Sequence, residues 1–201
     1  PGSGKSMSCK REITFIMLMT QDNVIICDPE DEYSPLVKRL GGQVIRLSPS
    51  STDYVNPLDI NLNYSDEENP LALKSDFVLS FCELIMGSKT GLEAIEKTVI
   101  DRAVQKIYQP YFSDPRPENM PILGDLHKHL QENPMTQRLA AIISRFVTGS
   151  AQSFNRQTNV DLSNKYIVLD LSELKGKLLP VGMFIALDYV WDQIKSDRTK
   201  R

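Results

Sequence analysis

Apolar and polar positions along the chain fall into blocks that read as helix, strand, helix, strand, then a long helical stretch, then one more strand and a final helix. Met7 to about Thr20, with Ile13, Ile16, Met17 and Leu18 apolar, predicts the first helix. Asn23 then leads into Val24-Ile25-Ile26-Cys27, an unbroken apolar run of the kind that forms a buried strand. A second helix is predicted from Tyr33 to Leu40, closed by Gly41-Gly42, and Gln43 to Leu47 follows as a short strand. This alternation is the rhythm of an α/β fold.

The next strand of comparable strength, Tyr166-Ile167-Val168-Leu169-Asp170-Leu171, comes more than a hundred residues later. That interval is far too long for one crossover helix or a plain loop, so something folded must fill it. Its periodic segments are helical: Leu71 to Met86, Leu92 to Tyr108, Ile122 to Gln131 and Met135 to Phe146. Gly87-Ser88, Pro110, Pro115 to Pro121 and Pro134 are read as the breaks between them. Asn63 to Pro70 and Asp114 to Asn119 are the most loop-like stretches. A last helix is predicted from Leu179 to about Lys195, followed by a polar tail. The division that follows is residues 1–60 as the first part of an α/β core, 61–162 as an all-helical insertion, and 163–201 as the return to the core.

Composition narrows the classes. With 41% hydrophobic and 24% charged residues in 201, the chain can bury one sizeable core, and its net charge of −3 argues against a continuous basic face gripping nucleic acid. Apolar runs such as Phe77 to Met86 are too short for a membrane span, and no signal peptide is evident. Cys9, Cys27 and Cys82 are odd in number and widely spaced, matching neither a disulfide framework nor a zinc site, and read as reduced thiols of a cytosolic protein.

The candidate chemistry starts at Pro1-Gly2-Ser3-Gly4-Lys5-Ser6, most of the phosphate-binding loop G-x-x-x-x-G-K-[ST]. Glycines let backbone N–H groups close around phosphates, and the helix that follows directs its positive end at the same charge. Gly2, Ser3, Gly4, Lys5, Ser6 and Met7 are the nucleotide-binding candidates. Lys5 is placed to reach the β- and γ-phosphates of a nucleotide, and the Ser6 hydroxyl to ligate the bridging Mg²⁺. The bland alternative is a chance Gly-Ser turn before a helix. The first glycine of the full motif would precede Pro1, so the chain is expected to be a piece of something larger.

A second feature is the acidic run Asp28-Pro29-Glu30-Asp31-Glu32-Tyr33, directly after the first strand. Ligands of open α/β sheets bind outside the carboxyl ends of the strands, so these carboxylates should share an edge with the phosphate loop. Asp28, Glu30 and Glu32 are therefore the catalytic candidates beside Lys5, to orient water or support the magnesium shell; the alternative is a solvated turn with an acidic helix start. Asp170 is a fallback metal ligand, since four apolar residues and an aspartate satisfy a loose Walker B pattern. Leu171 follows it where a glutamate would be required, and a structural strand-end role competes. Arg145, Arg156 and Arg198 are arginine-finger candidates by residue type alone. His127 and His129, two apart, are read as exposed helix residues, and Met17, Met19 and Met86 as core filler.

Taken together, Asp28-Pro29-Glu30-x-Glu32-Tyr33-Ser34-Pro35-Leu36, Leu40-Gly41-Gly42-Gln43-Val44-Ile45, Asn56-Pro57-Leu58-Asp59-Ile60, Phe154, Thr158-Asn159-Val160-Asp161-Leu162 and Asp170-Leu171-Ser172-Glu173-Leu174 resemble the C-terminal motor domain of conjugative-transfer ATPases. These are the TraE/TrbE-like, VirB-type members of the HerA/FtsK superfamily of P-loop NTPases, which energise type IV secretion. The resemblance spans nearly the whole chain. It implies a RecA-like core with a helical insertion, ATP and Mg²⁺ as cofactors, and a homo-oligomer up to a hexamer, with nucleotide sites at subunit borders. It also implies a place at the cytoplasmic face of the bacterial inner membrane, with channel components as partners and DNA as an indirect one. The Asp-Glu pair of the family's Walker B strand would fall beyond Arg201, so impaired hydrolysis is expected of this stretch alone. A GTP switch or small-molecule kinase shares the phosphate loop, but Asn164-Lys165 is followed by Tyr166-Ile167 rather than completing a guanine motif. A nucleotide-binding assembly scaffold without turnover is the non-enzymatic alternative.

Overall fold

The computed structural model describes residues 3–62, 69–87, 91–161 and 163–198. The chain divides into two compact units: residues 1–48 with 160–186, and residues 49–159 with 187–201.

The first unit holds a parallel sheet of three strands, β1 (Val24–Asp28), β2 (Gln43–Arg46) and β3 (Tyr166–Asp170), in the order β1-β3-β2. The strand that arrives last in sequence is thus the central one, and Ile167, Val168 and Leu169 are buried at its middle. A parallel strand covered on both faces needs such a continuous apolar run. Helix α1 (Ser3–Met19) precedes β1. Its Met17 is buried and its Met17 carbonyl accepts the Tyr166 hydroxyl at 2.6 Å, which fixes the end of α1 beside the start of β3. Met19, by contrast, is exposed and is not core filler.

Helix α2 (Ser34–Arg39) lies between β1 and β2, with Pro35 in its first turn, where the missing N–H costs nothing. Gly41 ends the helix in the left-handed region at φ 77°, and Gly42 then passes close to β3. A Cβ on Gly42 would fall 2.7 Å from the Tyr166 carbonyl oxygen and 2.8 Å from its Cβ, and would also overlap a Val37 methyl. Gly42→Ala is therefore expected to destabilise the protein by about 1–3 kcal/mol, the usual cost of overpacking, read as a lower urea midpoint at unchanged slope.

The second unit is helical: α3 (Pro70–Met86), α4 (Ala94–Ser113), α5 (Leu123–Glu132) and α6 (Gln137–Val147), joined by the later part of α7 (Leu178–Arg198), whose residues through Ala186 belong to the first unit. Asn69 caps α3 by accepting the Leu71 and Ala72 N–H groups, and Gly87 closes it at φ 58°. Glu96 accepts the Glu93 N–H at 2.8 Å at the start of α4. Leu126 and Leu130 of α5 and Leu139 and Ile143 of α6 are wholly buried, each side chain contributing about 1.5–3 kcal/mol. Phe146 links two neighbours in this core, at 5.8 Å from Phe81 and 6.2 Å from Phe154 between ring centroids.

Three expectations from the sequence are corrected. Helix α4 runs through Pro110 to Ser113, because a proline near a helix end removes one N–H bond without stopping the last turn, and the Asp114 N–H still reaches the Pro110 carbonyl. Helix α7 continues past Lys195 to Arg198. His127 and His129 are half-buried rather than exposed, His129 lying 3.8 Å from Glu132.

Candidate functional site

The register of the sheet brings three charged residues to one edge. Asp28 at the end of β1 pairs in Cα register with Asp170 at the end of β3, and Asp170 in turn with Arg46 at the end of β2. Both aspartates are buried. Each caps the turn that follows its strand: Asp28 accepts the Tyr33 N–H at 2.8 Å and the Glu30 N–H at 3.3 Å, and Asp170 accepts the Ser172 N–H at 2.9 Å. The Arg46 guanidinium reaches the other Asp170 oxygen at 3.1 Å and lies 3.7 Å from Glu173. Burial alone would raise the Asp170 carboxyl, but the bonds from Ser172 and Arg46 outweigh it and hold the group below the usual carboxylate range.

The turn after Asp28 presents the other acidic candidates. Asp31 takes the left-handed conformation at φ 55°, which aspartate tolerates better than most side chains. Glu30 is exposed and Glu32 half-buried. Among the described residues their carboxylates make no hydrogen bond or ion pair, in contrast to Asp28 and Asp170. Asp28 and Asp170 are therefore committed to partners within the protein, whereas the Glu30 and Glu32 carboxylates are not.

Helix α1 touches both ends of this unit's strands through two contacts. Its end is tied near the start of the strands by Tyr166, and Lys165 donates to Gln21 at 2.6 Å. Further toward the helix start, the Lys10 ammonium lies 5.4 Å from the centre of the Tyr33 ring, in the turn anchored by Asp28. Burial first, then Cys9, Glu32 and Asp28, push the Tyr33 phenol above its usual range. Lys5 lies five residues beyond Lys10, about 7.5 Å of helical rise.

The structure places Gly4, Lys5, Ser6 and Met7 in the first turns of α1, with Gly4, Lys5 and Met7 exposed and Ser6 half-buried. Ser3 begins the helix, and Gly2 lies outside the described residues. The first turn carries no acidic side chain that would repel an anion. Among the described residues Lys5 makes no ion pair. Donor chemistry thus fits a phosphate chain at the helix start, and the residue types of Ser6, Glu30 and Glu32 are the oxygen donors that magnesium prefers. Among the described residues no three His, Cys, Asp or Glu side chains gather as a protein-only metal cage.

Arg46 escaped the sequence reading. Its signal was its place at the end of β2, whose neighbour across the sheet could not be named without the strand order. The arginine-finger candidates Arg145 and Arg156 lie exposed in the helical unit, Arg145 within 3.5 Å of the Ser150 hydroxyl. The side chain of Arg198 lies outside the described residues.

No protein-family model matches the sequence, and no curated protein matches it. Among solved structures, the chain is similar to VirB4 of Thermoanaerobacter pseudethanolicus, with a TM-score of 0.79 and 25% sequence identity over 96% of this chain and 76% of that one. A small parallel sheet ending in Asp28, Asp170 and Arg46, with a helical unit that comes between β2 and β3 in sequence, is thus a VirB4-like fold.

Proposed function

We propose that this protein is an ATP-binding and ATP-hydrolysing motor of a type IV secretion machine, with a partial RecA-like core and a helical insertion. The observation that carries this reading is the contact of α1 with the acidic turn after β1, where the Lys10 ammonium lies 5.4 Å from the Tyr33 ring centre, in the helix that begins with Gly4-Lys5-Ser6. The similarity to VirB4 over nearly the whole chain supports it.

In this reading the backbone N–H groups of Gly2 to Met7 hold the phosphates and Lys5 neutralises charge on the β- and γ-phosphates. Ser6 would hold Mg²⁺, which would supply Lewis-acid chemistry to the phosphoryl group. Asp28 fixes the turn, and Glu30 and Glu32 orient the attacking water. Asp170, locked by Ser172 and Arg46, serves as a strand-end residue first and as a metal ligand only in reserve. The protein works as a homo-oligomer on the cytoplasmic face of the inner membrane, with channel components as partners and DNA as an indirect one. Among the described residues no helix is long and apolar enough to cross a membrane.

A second reading is favoured by one observation: both buried strand-end aspartates already have protein donors, as in a nucleotide-binding scaffold that does not turn ATP over. Titrating the full-length protein with a fluorescent ATP analogue, with and without Mg²⁺, while following phosphate release, separates the two. Mg²⁺-dependent binding with turnover supports the motor, and binding without turnover supports the scaffold. Absence of binding at millimolar ATP sinks both.

A further inference from the structure

The helical unit contains a cavity that the nucleotide reading leaves unused. It has a volume of about 340 Å³, and its lining includes Asp59, Tyr111, Pro117, Met120, Gln157 and Thr158. That volume is at the lower end of ligand pockets, about 300–1,000 Å³. Its walls are apolar and aromatic, and its one ionisable carboxylate is Asp59.

The pocket is held in shape from several sides. Asn56 donates to the Pro121 carbonyl at 2.9 Å and accepts the Leu58 N–H at 3.0 Å, which fixes the chain just before Asp59. Gln157 donates to the Met120 carbonyl at 2.6 Å, joining the segment of Thr158 to the wall that carries Pro117. Tyr108 of α4, one turn before Tyr111, donates to the Leu58 carbonyl.

What distinguishes the site is how Asp59 is paired. Its carboxylate accepts from the Thr158 hydroxyl, a neutral donor, and among the described residues it makes no ion pair. The nearby cation, Lys74, is bound to Asp188 at 2.7 Å with its ammonium 4.6 Å from the Phe77 ring centre. Burial, only partly offset by Thr158, Lys74 and Asn56, raises the Asp59 carboxyl above its usual range. A desolvated carboxylate whose hydrogen bonds come from neutral donors, and whose neighbouring cation Lys74 is engaged by Asp188, gains from a further cation brought to it, and a nucleic-acid phosphate would be repelled.

We propose that this cavity receives an arginine side chain from a partner polypeptide, its guanidinium on Asp59 with Thr158 and Gln157 as further acceptors, and its stem between Tyr111, Met120 and Pro117. A planar cation with an apolar stem matches this combination of carboxylate, aromatic ring and apolar wall.

The test uses the full-length protein without nucleotide, so its outcome is separate from that of the ATP reading. Acetyl-Gly-Arg-Gly-amide and its citrulline counterpart, which keeps the shape and loses the charge, are titrated with NMR detection. Saturable shifts at Thr158 and Met120 with the arginine peptide, and at least tenfold weaker binding of the citrulline peptide, are expected. Asp59→Asn should remove that tenfold preference; should the variant fail to fold, Tyr111→Leu on the wall should weaken the arginine peptide several-fold while the circular dichroism is kept. Equal binding of the two peptides, or shifts that do not saturate, overturns the proposal.

Discussion

Replacing Lys74 with alanine is expected to remove about 3–5 kcal/mol of folding stability, because it strands a partly buried carboxylate without its partner. The Lys74 side chain is 4% exposed and that of Asp188 22%, so neither group recovers its hydration when the other is lost. The ammonium also lies over the Phe77 ring, and its alkyl stem fills space beside α3, so truncation adds a packing loss to the electrostatic one. Lys74→Met keeps most of the volume and isolates the charge; the difference between the two variants in urea unfolding gives the packing share.

The same pair predicts a pH signature. Burial raises the Asp188 carboxyl above its usual range, with Lys74 pulling it back and Asp192 adding to the rise. A carboxyl raised in the folded state contributes stability that is complete below its unfolded pKa and is lost as pH climbs through the folded value. Without Lys74 the folded value rises further, so the variant loses most at neutral and alkaline pH. The gap between wild type and Lys74→Ala should therefore be narrower at about pH 4.5 than at pH 8. A gap that is constant across this range would mean that the loss is packing alone.

What the sequence disclosed and what it withheld follow from the range of each interaction. Val24 to Cys27 and Tyr166 to Leu169 are contiguous apolar runs, a local property, and both are strands. Their closing aspartates could be read as lying at one edge, because parallel strands put all their carboxyl ends on the same side. That β3 enters between β1 and β2 is a pairing across more than a hundred residues and leaves no local trace, so Arg46 could not be joined to Asp170 in advance. Pro110 does not end α4 because its effect depends on how much helix remains beyond it, and here only Tyr111, Phe112 and Ser113 separate it from the Asp114 cap. The burial of Lys74 was likewise hidden: a lone lysine in an apolar helix has no local partner, and Asp188 lies in another helix.

Lys5→Ala in the full-length protein is expected to lower Mg²⁺-ATP turnover on the order of 10²-fold or more, the scale seen when one preorganised group facing transition-state charge is removed. Lys5 is exposed near the start of α1 and makes no ion pair among the described residues, so its loss should leave the unfolding midpoint within about 0.5 kcal/mol of wild type. That separation is what gives the experiment its force. A structural lysine would move stability and activity together, whereas a phosphate-binding one moves activity alone. Lys5→Arg should restore turnover only in part, since a planar guanidinium cannot occupy the place of a compact ammonium held close among backbone N–H groups. Unchanged turnover in Lys5→Ala would detach the glycine-rich start of α1 from catalysis, and the open Glu30 and Glu32 carboxylates would then have no phosphate to serve.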